Sequence, residues 1–410
     1  MTVAHFEKTR VMMYSHDTFG LGHLRRCREI AHALVAAYRG LSVMIVSGAP
    51  IAGAFDYRAR VDFMKVPSII KLRNGEYQSM AQHVSLEETL RVRRTLIRNA
   101  AEALRPDIFI TDKEPLGLRG ELEDTLCYLK AQGTHLVLGL RDVMDAPDLL
   151  AAEWARRNIL NKIDLYYDNI WVYGPKGFYD PLVGLDLPPG LSHRMRYTGF
   201  LRRDRTKIDD ASERLGRGYV LVTPGGGGDG MNLIRAVLGA HSQDPDLPRT
   251  VVVLGPYMAA KDRAELLQQA WGLRAIEIMD FDNRMEDIIA NASAVVAMGG
   301  YNTFCEILSF DRPALLVPRT QPRMEQAIRA DRAAALGLVQ RLPAERAAIP
   351  TEMAAALRSL GKAARPSEAT AAVAAGLASL DGRERIVADV GEWLEQRRRN
   401  DLHPLRIANS

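Results

Sequence analysis

Short apolar runs alternate with longer segments of helical period along almost the whole chain, and the alternation is played through twice. A strand buried on both faces reads as an unbroken apolar run, and a parallel neighbour needs a crossover helix. The pattern therefore predicts an α/β protein with parallel sheets. Strands are expected at 11–15, 43–47, 107–111, 135–140 and 169–173, with helices at 24–37, 86–103 and 116–131. A second series has strands at 219–223, 250–254, 275–279, 294–297 and 314–317, followed by alanine-rich helical segments over 351–380 and a last helix over 383–399. No short tandem repeat is present, although the two series share one strand-loop-helix grammar.

Between the two series, residues 202–218 are strongly charged and carry no apolar period, which marks a domain boundary near 205. The expected division is 1–204, 205–382 and a tail at 383–410 that packs back on the first domain. A chain of 410 residues is long enough for two domains that each bury a core. With 47% hydrophobic and 25% charged residues, disorder is excluded as its main state. A net charge of +4 suits anionic small molecules or an anionic membrane face without demanding nucleic acid. Cys27, Cys127 and Cys305 include no close pair, which removes zinc and thiol-exchange motifs and points to a reducing cytoplasm. Residues 1–10 lack the apolar core of a signal peptide, and no apolar run approaches the roughly 18 residues that span a bilayer. The expected location is therefore the cytoplasm, with any contact at the inner membrane face peripheral.

Two doubly wound domains enclose a cleft, and in such sheets ligands bind beyond the carboxyl ends of the strands. The loops there carry the chemistry. The first strand runs into Ser15-His16-Asp17-Thr18-Phe19-Gly20-Leu21-Gly22-His23 and then a helix. Gly20 and Gly22 permit a tight turn, the helix start offers unpaired N–H groups, and His16, Asp17 and His23 crowd one loop. The loop fits a dinucleotide fingerprint only in part, because its third glycine is missing. A plain strand-to-helix turn is the rival reading.

The second series opens with Thr223-Pro224 and then Gly225, Gly226, Gly227 and Gly228, set between a strand and a helix. Consecutive glycines expose backbone N–H groups and suit a diphosphate, and no Gly-Lys-Ser/Thr follows to make a Walker loop. Further on, Gly299, Gly300, Asn302 and Thr303 lead into a helix that carries Glu306, whose carboxylate can accept from two ribose hydroxyls. After the next strand, Glu325 and Gln326 offer acceptors and an amide donor of the kind sugar hydroxyls require. Asp280-Phe281-Asp282 has the look of a metal-binding Asp-x-Asp. The spacing of Asn283 and Glu286 instead predicts a capping box, with Asp282 near the helix N-terminus.

Taken together these loops resemble GT-B glycosyltransferases, most of all the group containing the peptidoglycan N-acetylglucosaminyltransferase, family 28-like. The likeness is strongest over 196–342 and thins to the Gly20–His23 loop in the first half. It implies two Rossmann-like domains, with the nucleotide sugar held by the second and the acceptor by the first. The family's glycine-rich turn falls on 225–230, its ribose-binding glutamate on Glu306, and its sugar-contacting Gln-Gln pair on Glu325 and Gln326, the first member altered. Its interdomain Thr-Gly segment resembles 197–203 and implies that Arg203 contacts phosphate, while 279–281 would lie beside the base, Phe281 included. The first loop is similar both to that group and to a nucleotide-sugar hydrolase of pseudaminic acid synthesis, whose Gly-x-Gly-His precedes Arg-Cys. In both relatives the histidine is the suspected base, here His23. Segments 114–122 and 140–142 resemble predicted transferases of bacterial polysaccharide clusters.

The resemblance implies an inverting transfer of sugar from a nucleotide-diphosphate sugar, UDP-linked, to an acceptor hydroxyl in polysaccharide or glycoconjugate synthesis. His23 would be the base with Asp17 beside it, His16, Gly20 and Gly22 would form the acceptor loop, and no cofactor or metal is expected. Expected partners are the donor and a saccharide, lipid-linked or small-molecule acceptor, not nucleic acid. Asp17, Asp112 and Asp142 are rival bases, with capping and turn roles as the alternative. A nucleotide-sugar hydrolase or epimerase, or a non-catalytic nucleotide-sugar sensor, would use nearly the same residues. The basic segment 91–98 is the candidate for resting on an anionic bilayer, the tail 397–399 a weaker one.

Overall fold

The computed structural model describes residues 8–16, 21–71, 76–81, 83–205, 210–226, 228–360, 371–373 and 375–407. The first lobe is built on a seven-stranded sheet. In spatial order its strands are Val61–Lys65, Leu41–Ser47, Thr9–Ser15, Ile108–Asp112, His135–Arg141, Asn169–Tyr173 and Met195–Tyr197, each parallel to its neighbours. The second lobe has six parallel strands in the order Ile276–Met279, Thr250–Val253, Val220–Thr223, Ala294–Ala297, Ala314–Leu316 and Gln340–Arg341. The fold is GT-B, two Rossmann-like lobes facing a cleft.

In both sheets the chain winds outward from a central first strand to one edge, then returns to the other side of that strand. The reversal leaves a crevice where adjacent loops diverge. In the first lobe it opens beyond Ser15 and Asp112, in the second beyond Thr223 and Ala297. The central strands are apolar throughout because helices cover both faces; Val11, Met12 and Met13 are all fully buried. Strands absent from the sequence reading lie at edges or are very short. Val61–Lys65 alternates with charged residues, Met195–Tyr197 has three residues and Gln340–Arg341 no apolar one. The helix expected over 116–131 is instead a 3₁₀ turn, Leu118–Gly120, followed by Glu123–Ala131, since Gly117, Arg119 and Gly120 all take positive φ.

The helix Leu86–Leu104 begins at a true capping box, Ser85 with Glu88. Its basic face is narrower than the sequence suggests. Arg93 is buried and holds Glu121 through Nε at 2.7 Å, a carboxylate that also accepts from the Tyr14 hydroxyl at 2.6 Å, and Arg98 pairs with Glu102. Arg91 and Arg94 remain exposed, beside exposed Val92 and Leu96. Among the described residues no helix is long and apolar enough to cross a membrane.

The chain crosses between lobes twice, and the crossings lie side by side. Phe200 N donates to Ser379 O at 2.8 Å and Gly382 N to Phe200 O at 3.1 Å. A Cβ at Gly382 would sit 2.5 Å from Gly199 O, so only glycine allows this approach. The last helix, Gly382–Ile407, then lies on the first sheet, where Asp389 accepts from Trp171 Nε1 at 2.6 Å and Trp393 stacks on His135. Between the lobes Phe178, Phe200 and Phe304 pack edge to face, joining the two cores.

Candidate active site

The two crevices face each other across a cavity of about 200 Å³. The first lobe contributes the start of the helix Gly22–Ala37, with Gly22, His23, Arg25 and Arg26, together with Phe55 and Arg141. His23 lies beside the end of the neighbouring strand, its Nδ1 2.5 Å from Asp112 Oδ2. Asp112 is also gripped by Arg26, Nε to Oδ1 at 2.8 Å and Nη2 to Oδ2 at 2.6 Å. Burial works against the Asp112 charge, but Arg26 and His23 outweigh it and hold the carboxyl far below its usual range. An ionised carboxylate this close requires the proton on Nδ1, which leaves Nε2 as a free acceptor.

Burial lowers the His23 pKa to about 4, Asp112 opposing the shift without overcoming it. At neutral pH the ring is uncharged, oriented by a carboxylate and able to accept a proton. Asp112 is therefore the partner of the candidate base and not a rival. Asp142, another rival, is bound by Arg329 through Nε at 2.7 Å and Nη2 at 2.6 Å, both side chains fully buried between the lobes.

Across the cavity stand Gly225, Gly226 and Gly228, then Gly300, Asn302, Thr303 and Glu306 at the start of the helix Tyr301–Ser309, with Phe281, Glu325 and Gln326 around the rim. Glu306 is already engaged from the first lobe. Arg25 Nη2 pairs with it and with Glu286, at 2.7 Å from the latter. Asn302 Nδ2 donates to Gly22 O at 3.0 Å, a second tie across the cleft. Glu325 accepts from Arg319 Nη2 at 2.8 Å, so its charge is balanced within the cavity wall. Arg25, Arg26, Arg141 and Arg319 are the lining cations, and none was singled out from sequence.

Three expected residues stand back from the cavity. Arg203 is buried and turned inward, donating from Nη2 to Asn302 Oδ1 at 3.0 Å, so it supports a lining residue instead of lining the cleft. Gly299 lies behind Gly300 and accepts from Arg329 at 2.9 Å. His16 is buried edge-on against His23, ring centroids 5.6 Å apart, and opens toward a different pocket. Asp17, Gly20 and Gly227 lie outside the described residues. The expected capping box at Asn283 does not form, because Asn283 donates to Ala54 O across the lobes and Asp282 Oδ1 accepts from Arg284 N instead. Asp280 pairs with Arg263, and Asp282 with Arg214.

His16 and His23 give the fold an acid sensitivity. Burial is the main cause that lowers both pKa values, while an unfolded histidine titrates near 6.5. Below about pH 6.5 the unfolded chain takes up protons that the fold refuses, so stability is complete above that value and falls toward pH 4. Thermal unfolding midpoints should fall between pH 7 and pH 4.5, and less steeply in His16→Gln. Parallel curves for the two proteins would remove His16 as a contributor.

Residues 219–382 match the glycosyltransferase family 28 C-terminal domain. An uncharacterized glycosyltransferase of Methanosarcina mazei is 24% identical over 314 residues, 73% of this chain and 77% of that protein. A UDP-N-acetylglucosamine--N-acetylmuramyl-(pentapeptide) pyrophosphoryl-undecaprenol N-acetylglucosamine transferase of Methylorubrum extorquens is 35% identical over 124 residues, 30% of this chain and 33% of that protein. Among solved structures, the glycotransferase of kitacinnamycin superposes with a TM-score of 0.65 at 16% identity, covering 95% of this chain and 100% of that one. A UDP-glucosyltransferase from Polygonum tinctorium capable of glucosylating indoxyl gives 0.62 at 14% identity, over 96% and 100% of the two chains.

Proposed function

Because this chain is a GT-B glycosyltransferase whose second lobe is of the family 28 type, we propose that it moves a sugar from a UDP-sugar to an acceptor hydroxyl, with inversion at the anomeric carbon. The observation that carries this reading is a neutral imidazole, oriented by Asp112, facing a glycine loop and a helix start across one cavity. UDP as the carrier is supported by the similar Methylorubrum transferase, named for UDP-N-acetylglucosamine, and by the structurally similar Polygonum UDP-glucosyltransferase.

In this reading the acceptor oxygen attacks the anomeric carbon as its proton passes to His23 Nε2, while the bond to the diphosphate breaks on the opposite face of the sugar. The leaving group gains negative charge. Backbone N–H groups of Gly225, Gly226 and Gly228 and of the helix starting at Tyr301, the Thr303 hydroxyl and the lining arginines meet that charge without a metal ion. Glu306 accepts from the ribose hydroxyls, exchanging one of Arg25's two carboxylate contacts while Glu286 keeps the other. Phe281 lies beside the base, and Gln326 with the Arg319-balanced Glu325 meets the sugar. Arg203 acts through Asn302.

The product belongs to polysaccharide or glycoconjugate synthesis at the cytoplasmic side of the cell membrane. Exposed Val92 and Leu96 with Arg91 and Arg94 support peripheral contact with anionic lipid. Calorimetric titration with UDP is the direct test: binding is expected in the wild type and should weaken at least about tenfold, roughly 1.4 kcal/mol, in Glu306→Gln. Release of UDP from UDP-sugars should then depend on added saccharide or polyprenyl acceptors. Release indifferent to every acceptor would make the enzyme a hydrolase, and no UDP binding would overturn the donor assignment.

A further inference from the structure

Behind His16 lies a second cavity, of about 450 Å³, that the donor does not use. Its wall carries four guanidiniums, Arg119, Arg156, Arg157 and Arg323, against two carboxylates, Glu114 and Glu153. Arg323 is tied to Glu153 and Asp145 at 3.1 and 3.3 Å, and Arg157 lies 3.5 Å from Glu114. Arg119 and Arg156 make no ion pair among the described residues. Arg119 lies over the Tyr77 ring, and Arg156 bonds only a backbone carbonyl. Lys113 and Asp145, behind the wall, cancel each other, so the cavity keeps an excess of two positive charges. Its floor is His16, 6% exposed, whose buried Nδ1 has no hydrogen-bond partner. That ring lies edge-on to His23, so the cavity adjoins the candidate base.

We infer that this cavity is the acceptor subsite and that the acceptor carries an anionic group, a carboxylate or a phosphate, held by Arg119, Arg156 and Arg157. The inference rests on the transfer reading above and supplies its missing acceptor class. Planar guanidiniums take either anion through paired N–H donors. A sugar anchored there spans the distance past His16 and offers a hydroxyl to His23, with the donor's anomeric carbon beyond. Arg323, tied to Glu153 and Asp145, closes the wall from the second lobe, while the other three come from the first.

The test is a ligand-observed NMR titration of the whole protein with glucuronic acid, glucose 6-phosphate and neutral glucose, UDP being present to fill the donor side. At least one acidic probe is expected to bind about tenfold or more tightly than glucose, and the tighter of the two identifies carboxylate or phosphate as the natural group. The double variant Arg119→Gln, Arg156→Gln, altered only at exposed side chains, should erase the preference, whereas Arg235→Gln on a remote surface should keep it. Equal binding of the three probes, binding of none, or a preference that survives the double variant overturns the proposal. Failure of the donor reading would show separately, as absence of UDP binding in a titration without sugars.

Discussion

His23→Ala is expected to lower kcat by roughly 10²–10⁴ while leaving UDP affinity unchanged, since a positioned general base contributes about that much. The imidazole lies in the first lobe and its loss leaves the second lobe's glycine loop and Glu306 intact. Because burial holds its pKa near 4, the acid limb of kcat/KM should fall near pH 4 and not near 6.5, with activity flat between about pH 5.5 and 7.5 as far as this group governs it. Asp112→Asn should show a comparable loss, because the amide cannot fix the tautomer that leaves Nε2 unprotonated. Full turnover in His23→Ala, measured as acceptor-dependent UDP release, would move the base elsewhere.

Arg329→Ala is expected to destabilise the fold by about 3–5 kcal/mol, the usual consequence of stranding one member of a buried ion pair. Asp142 would remain fully buried between the lobes without its partner, and Gly299 O would lose its donor. The double variant Arg329→Met, Asp142→Leu removes both charges at similar volume and should recover most of the loss. Thermal and denaturant unfolding of the three proteins would measure it. A single variant as stable as wild type would mean that water reaches Asp142.

The architecture is largely legible in the sequence. The nine interior strands announce themselves because burial on both faces leaves unbroken apolar runs, while Val61–Lys65 and Gln340–Arg341, at sheet edges, carry polar residues that hide them. Glycine loops were visible for a similar reason, since a run such as 225–228 has few roles other than close approach of backbone to a ligand. What stayed hidden were pairings between distant charges. Arg25 reaches Glu306 from 281 positions away, and His23 meets Asp112 across 89. No local pattern distinguishes such arginines from solvated ones, nor shows that Arg203 turns inward toward Asn302 while Arg319 lines the cavity. The excess of arginine in the first helix, at 25, 26 and 28, was the only clue.

The paired crossings at 199–201 and 379–382 bear on how this scaffold can be recombined. A chimera spliced at one point would carry a foreign last helix onto the native first sheet, where Asp389 and Trp393 have dedicated seats. Grafting a new donor lobe therefore calls for two cuts that excise it as an insert, leaving the terminal helix with the half of the molecule it clasps.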